Sequence, residues 1–150
     1  MNKVKITQLL LAGIATFFIW VVTEILVEQV LGNMIFGNHI QVSWYYSTNI
    51  PHWSISNNII NILIALINCT VLIWLYASLR PMFGVGTKTA LITSAFGIIF
   101  GLSMSINGIN LGLFPLQIGL LESAYEAIEF PVAMIAGAFI YESGHNEMAV

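Results

Sequence analysis

Four long runs of apolar residues, separated by three more polar segments, dominate the pattern along this chain. The runs cover about residues 6–30, 58–79, 88–108 and 113–141. A helix needs about 20 mostly apolar residues to cross the hydrocarbon core of a bilayer, so each run is long enough to cross once. The sequence therefore predicts an all-α integral membrane protein, folded as a bundle of four transmembrane helices.

The three connections differ in length and character. Residues 80–88 and 107–112 are short and contain glycine, so the helices on either side of each should be antiparallel neighbours. Residues 32–56 form a longer segment that is rich in Trp and Tyr, side chains that favour the lipid headgroup level. This segment is expected either to lie along the outer interface or to cover an outward-facing cavity. No internal repeat is visible, so we expect residues 1–150 to form a single domain.

All four basic residues fall on one side of this predicted bundle. Lys3 and Lys5 precede the first span, and Arg80 and Lys88 lie between the second and third spans. Because cytoplasmic loops of membrane proteins are enriched in Lys and Arg, we expect both termini in the cytoplasm and residues 32–56 outside. The expected location is a bacterial or archaeal cytoplasmic membrane.

Composition narrows the functional classes. Only 7% of the 150 residues are charged and 58% are hydrophobic, whereas soluble domains carry about 25% charged residues. The main partner of this surface should be the lipid bilayer. Four basic residues are too few for a nucleic-acid interface. No nucleotide, zinc or catalytic-nucleophile motif appears, so the sequence identifies no cofactor and favours a protein that is not an enzyme.

The fourth run carries three carboxylates at depths where charge is costly. At 100° per residue, Glu122, Glu126 and Glu129 fall on one stripe of the helix. This acidic stripe is expected to point into the bundle, and the opposite face toward lipid. The residues of that opposite face are Leu121, Ile128, Val132, Ile135 and Phe139.

The first run has a matching stripe that contains Trp20, Glu24 and Glu28. With a rise of 1.5 Å per residue, Glu24, Glu122 and Glu126 are all roughly 22–28 Å from the cytoplasmic boundary. Glutamates of the first and fourth helices are therefore expected at one level, in the outer half of the membrane.

Three further residues are expected to support these carboxylates. Pro131 has no N–H, so the carbonyl of Ala127 loses its helical partner near the acidic stripe. On the second span, Asn61 and Asn68 share a face, and their amides are able to donate hydrogen bonds across helices.

The third span has small residues along one side, in a pattern typical of closely packed membrane helices. Gly97 and Gly101 form the centre of this stripe and are expected to contact a neighbouring helix. The whole stripe comprises Ala90, Ser94, Gly97, Gly101, Ser105 and Gly108.

A carboxylate in hydrocarbon needs compensation, and four kinds are available: protonation, a bound cation, a hydrated cavity, or a basic residue of another chain. Salt bridges within the chain are disfavoured, because all the basic residues belong to the predicted cytoplasmic side.

These observations favour a small polytopic membrane protein in which Glu24, Glu122, Glu126 and Glu129 form a site that handles protons or a cation in transport. One alternative is a non-catalytic subunit of a homo-oligomer or a larger membrane complex, whose glutamates meet basic residues of a partner. A third hypothesis is a membrane metalloenzyme, which would need His39 and His52 to fold back onto the glutamates.

Overall fold

The computed structural model of this protein describes residues 6–36, 48–49 and 55–146, which are helical apart from two short turns. Helix α1 is continued by a π-helical segment and by the short helix α2, and three long helices follow. The elements are α1 (Ile6–Val27), the π segment (Glu28–Gly32), α2 (Asn33–Phe36), α3 (Ile55–Phe83), α4 (Thr87–Asn110) and α5 (Leu116–Asn146).

The prediction of four spans is confirmed to the extent that four helices are long and apolar enough to cross a membrane. Their ends differ from the predicted ones: α3 begins at Ile55 rather than at 58, and α5 runs from Leu116 to Asn146. The turn between α3 and α4 shrinks to residues 84–86, where Gly84 and Gly86 adopt positive φ angles of 92° and 110° that favour glycine. His39 and His52 lie outside the described residues, as does most of the segment 32–56.

The four long helices pack as a ring. Helix α1 packs against α3, α3 against α4, α4 against α5, and α5 against α1. Helices α1 and α5 are antiparallel, since Gly137 of α5 contacts Thr16 of α1 and Gly144 contacts Gln8. The same contacts show why these helices approach closely. A side chain at either glycine would overlap the opposite residue.

Two apolar clusters fill the bundle, one towards each end. The cluster near the turn 84–86, here called the lower cluster, contains Ala12, Leu72, Ile73, Tyr76, Ala77, Ala90, Met134, Ala138 and Tyr141. The cluster near the turn 111–115, here called the upper cluster, contains Ile118, Leu121 and Tyr125, with Val27, Leu31 and Phe114 packed against them. Glu24, Glu126 and Glu129 lie at levels between these two clusters.

A polar network joins α3 to α5 beside the turn 84–86. Arg80 donates hydrogen bonds to both carboxylate oxygens of Glu142, at 2.9 and 3.0 Å. The Tyr76 hydroxyl donates to the same carboxylate at 3.0 Å and accepts a hydrogen bond of 3.0 Å from the Gly86 N–H. The network therefore fixes the turn and satisfies the charge of Arg80 at one end of the bundle.

Candidate functional site: a buried carboxylate cluster

Five glutamates from two helical elements come together, and we call them the carboxylate cluster. Glu24 and Glu28 belong to α1 and its π segment, while Glu122, Glu126 and Glu129 belong to α5. Glu24 interacts electrostatically with Glu122 and Glu126 across the helix interface, and Glu129 interacts with Glu24 and Glu28. The antiparallel packing of α1 against α5 produces this arrangement, because it sets the late turns of α1 beside the early turns of α5.

The members of the cluster are buried to different degrees. Glu129 is only 2% exposed and Glu28 is 8% exposed, whereas Glu24, Glu122 and Glu126 are partly buried. One carboxylate oxygen of Glu126 and one of Glu129 are buried without a hydrogen-bond partner. Burying a polar atom without a hydrogen-bond partner costs free energy, and most buried polar atoms in folded proteins have one. These two oxygens are therefore exceptions to the usual pattern.

Two hydrogen-bond donors lie next to the glutamates. The Tyr125 hydroxyl is near Glu28 and Glu129, and Tyr125 is only 4% exposed. The Trp20 indole N–H lies beside Glu129 in a contact that does not meet the geometry of a hydrogen bond. Both the Tyr125 hydroxyl and the Trp20 indole N–H are buried without a hydrogen-bond partner.

Tyr125 is the site residue that the sequence analysis missed. It lies three residues after Glu122 and four before Glu129, and therefore on the same helical stripe. This spacing indicates that Tyr125 shares a face with the glutamates, but an aromatic residue in an apolar run more often belongs to the hydrophobic core.

Helix α4 forms the wall of the site opposite α1. The Glu126 carboxylate lies against Gly101, in the space that a side chain at position 101 would occupy. One turn away, a Cβ atom at Gly97 would be only 2.9 Å from the Phe130 ring. All six residues of the small stripe of α4 are buried.

Both helices that carry glutamates depart from regular α-helix beside the cluster. The π segment starts at Glu28, and π-helical turns are often found at functional sites. Pro131 lies two residues after Glu129 inside α5 and removes the N–H that would bond the Ala127 carbonyl. Regular α-helical hydrogen bonding is therefore interrupted beside the carboxylates on both helices.

The apolar face predicted for the fourth span needs one correction. Ile128, Val132, Ile135 and Phe139 are exposed, as predicted for a face toward lipid. Leu121 is instead buried in the upper cluster, where Val27, Leu31 and Phe114 surround the early turns of α5. The prediction failed because a helical wheel treats one face as uniform along its whole length.

The predicted supporting asparagines lie on α3, which packs mainly against α1 and α4 rather than α5. Asn61 is exposed and Asn68 is partly buried. Within the described residues, no three His, Cys, Asp or Glu side chains are placed so that they could hold a metal ion. The metal site that would include His39 and His52 stays a prediction, since both lie outside the described part of the chain.

Basic side chains are distant from the cluster in the described part of the chain. Arg80 pairs with Glu142, which follows Glu129 by 13 residues, or roughly 20 Å along α5. Lys88 lies at the start of α4, also 13 residues from Gly101.

Comparison with protein families, with curated proteins and with solved structures found no match.

Proposed function

We propose that this chain is a small integral membrane protein whose carboxylate cluster takes up protons or a cation as part of a transport process. The central residues are Glu24, Glu126 and Glu129, and Glu122 and Glu28 extend the cluster toward the end of the bundle at residues 111–115. Trp20 lies beside Glu129, with its indole N–H next to the carboxylate and its ring stacked on Phe130.

The observation that carries this proposal is the environment of Glu129. Its side chain is 2% exposed, one of its oxygens has no partner, and other carboxylates lie close to it. Like charges that are buried together in an apolar bundle repel one another and lose hydration. A positively charged species bound among them removes both costs, and the described residues offer no basic side chain at this level.

The proposed orientation places the turn 84–86 and both termini in the cytoplasm, following the distribution of Lys and Arg. The carboxylate cluster then lies in the outer half of the membrane. Glu126 is ten residues from the start of α5, or roughly 15 Å from the outer end of that helix. Protons or a cation would therefore reach the cluster from outside by passing the upper cluster.

The test is a pair of variants in purified protein. Glu129→Gln keeps the size and polarity of the side chain but cannot ionise. We expect it to keep the helical circular dichroism spectrum and to lose uptake of protons or cations, measured by proton release in weak buffer and by calorimetry. Glu142→Gln, which removes a carboxylate at the other end of α5, should keep that uptake. Unchanged uptake in Glu129→Gln would contradict the proposal.

A second candidate is a subunit of a homo-oligomer or a larger membrane complex, and the surface of α3 favours it. Asn58 and Asn61 are exposed there among exposed Ile and Leu side chains. An amide in lipid is costly, and in membranes such groups often bond across helices. Native mass spectrometry in mild detergent distinguishes the two candidates: assembly that is lost in Asn61→Leu would support the second.

A further inference from the structure

We infer that the ligand of the carboxylate cluster is the proton itself, held by Glu24, Glu126 and Glu129 with Tyr125 and Trp20 as hydrogen-bond partners. This inference rests on the proposed function and selects one of the two ligand classes that the function allows. It has three independent supports: the donors in the site, its close packing, and its charge.

The first support is the chemistry of the unpartnered atoms. Two of them are carboxylate oxygens, of Glu126 and Glu129, and the other two are the Tyr125 hydroxyl and the Trp20 indole N–H. An indole N–H donates and cannot ligate a cation. Ca²⁺ takes about 6–8 oxygen ligands, whereas no three His, Cys, Asp or Glu side chains of the described residues are placed so that they could hold a metal ion. Donors beside carboxylates suit a network in which protons are exchanged.

The second support is the close packing on the α4 side of Glu126. Its carboxylate fills the space above Gly101, and the Phe130 ring packs on Gly97 one turn away. Trp20 of α1 stacks on the same Phe130 ring with 6.4 Å between ring centroids. A metal ion with its ligand shell, or an organic cation, would have to push these groups apart. A proton forms an O–H bond and needs no additional volume.

The third support is the set of groups that face the cluster. Helix α1 and its π segment contribute Trp20, Glu24 and Glu28, and α5 contributes Glu122, Tyr125, Glu126 and Glu129. The wall formed by α4 is Gly97 and Gly101, which carry no charge. Each proton bound by a carboxylate cancels one negative charge, and none of the side chains on these walls carries a positive charge that could do the same.

Tyr125 and Trp20 act in this scheme as positioning residues. When a carboxyl such as Glu129 releases its proton, the new charge needs donors, and the hydroxyl and the indole N–H are the nearest ones. When it takes up a proton, its own O–H is able to donate to the Tyr125 oxygen. The Glu129 carboxyl then has a partner in both protonation states.

The experiment is infrared difference spectroscopy on the full chain in detergent, recorded between neutral and alkaline pH, so that carboxyls with an ordinary acid-range pKa contribute no band. We expect a C=O band of protonated carboxylic acids that is reduced in Glu126→Gln and in Glu129→Gln and unchanged in Glu142→Gln. Adding sodium, potassium, calcium or tetraphenylphosphonium chloride at constant ionic strength should leave the band unchanged. Tyr125→Phe should fold and should move the band to higher frequency, because one hydrogen bond to a carboxyl is lost.

The outcomes separate this inference from the proposed function. If one of the added cations removes the band saturably, and only while Glu126 is present, the cation is the ligand; the proposed function then stands and the proton assignment is overturned. If neither a carboxylic acid band nor cation binding is found, both fail. A band that is identical in Tyr125→Phe would overturn the role of Tyr125.

Discussion

The carboxylate of Glu126 on α5 lies directly against Gly101 on α4, where any other residue would place its side chain. The contact between Gly101 and Glu126 thus brings α4 close to α5 and also fixes the position of the Glu126 carboxyl group. Small residues at membrane helix interfaces are usually explained by backbone approach alone. Here the space left by the missing side chain is occupied by the ionisable group itself.

Gly101→Ala should destabilise the bundle by about 1 kcal/mol, the lower end of the cost of overpacking, because the added methyl group overlaps the Glu126 carboxylate but the flexible Glu126 side chain is able to shift. Gly101→Leu should be worse and should separate α4 from α5. The measurement is unfolding in detergent followed by circular dichroism. Ile99→Leu is the control, since Ile99 is exposed and the change should fall within about 0.5 kcal/mol.

A double-variant cycle tests whether the Glu126 carboxylate is the cause of that cost. Glu126→Ala removes the group that the new methyl would meet, so Gly101→Ala should cost much less when combined with it than alone. Residues in direct contact show such coupling, whereas distant ones add independently. Additive costs would mean that Gly101→Ala acts on another neighbour.

Gly137→Ala provides a second test of close helix approach, at the interface between α1 and α5. A Cβ atom there would overlap the Thr16 hydroxyl, which is buried and donates to the Ala12 carbonyl at 2.7 Å. We expect a loss of about 1–3 kcal/mol in unfolding experiments, partly recovered by Thr16→Ala. Ile135→Val, at an exposed position of the same helix, should change stability little.

The sequence was sufficient to predict the helices and most of their inward faces, for a physical reason. Apolar run length predicts a spanning helix, and the 100° period predicts which residues share a face. The small stripe of α4 illustrates this, because Gly97 and Gly101 share one side of the helix and both are buried. These properties depend only on residues near one another in sequence.

Features that depend on two helices together were not predictable in the same way. Leu121 was assigned to the lipid face, yet it is buried, because Phe114 and the late turns of α1 cover that level of α5. The pairing of Arg80 with Glu142 likewise depends on where α3 ends relative to α5. Neither the end of a helix nor its depth against a neighbour follows from periodicity.

Tyr76→Phe should weaken the end of the bundle near the turn 84–86. The variant loses a hydrogen bond to Glu142 and leaves the Gly86 N–H without its acceptor. Removing one partner of a buried hydrogen bond costs about 1–3 kcal/mol. Hydrogen exchange of residues 84–90 should accelerate more than that of residues 111–119. Ser78→Ala, which changes an exposed hydroxyl of the same helix, should leave both unchanged.

The proposed orientation predicts which turns react with an impermeant thiol reagent in intact cells. Leu111→Cys, in the turn between α4 and α5, should be labelled from outside, while Val85→Cys and Ser143→Cys should react only after the cells are opened. All three positions are exposed, and the native Cys69 is buried, so it should contribute little background. The reverse pattern would place the carboxylate cluster in the inner half of the membrane.

Glu24 and Glu126 are expected to bind the same proton or cation across the interface of α1 and α5. The two carboxylates interact electrostatically, although they belong to different helices. If both share one proton or one cation, either Gln substitution should abolish uptake, and the double variant Glu24→Gln/Glu126→Gln should be no worse than a single one.

Stability should move in the opposite direction to uptake in these variants. Removing one of two neighbouring buried charges relieves repulsion, so each single Gln variant should unfold at the same or a higher temperature than the native protein at alkaline pH. At acid pH, where the carboxyls hold protons, the difference should disappear. Loss of uptake that is additive between the two sites, with no effect of pH on relative stability, would show that Glu24 and Glu126 bind their ligands independently.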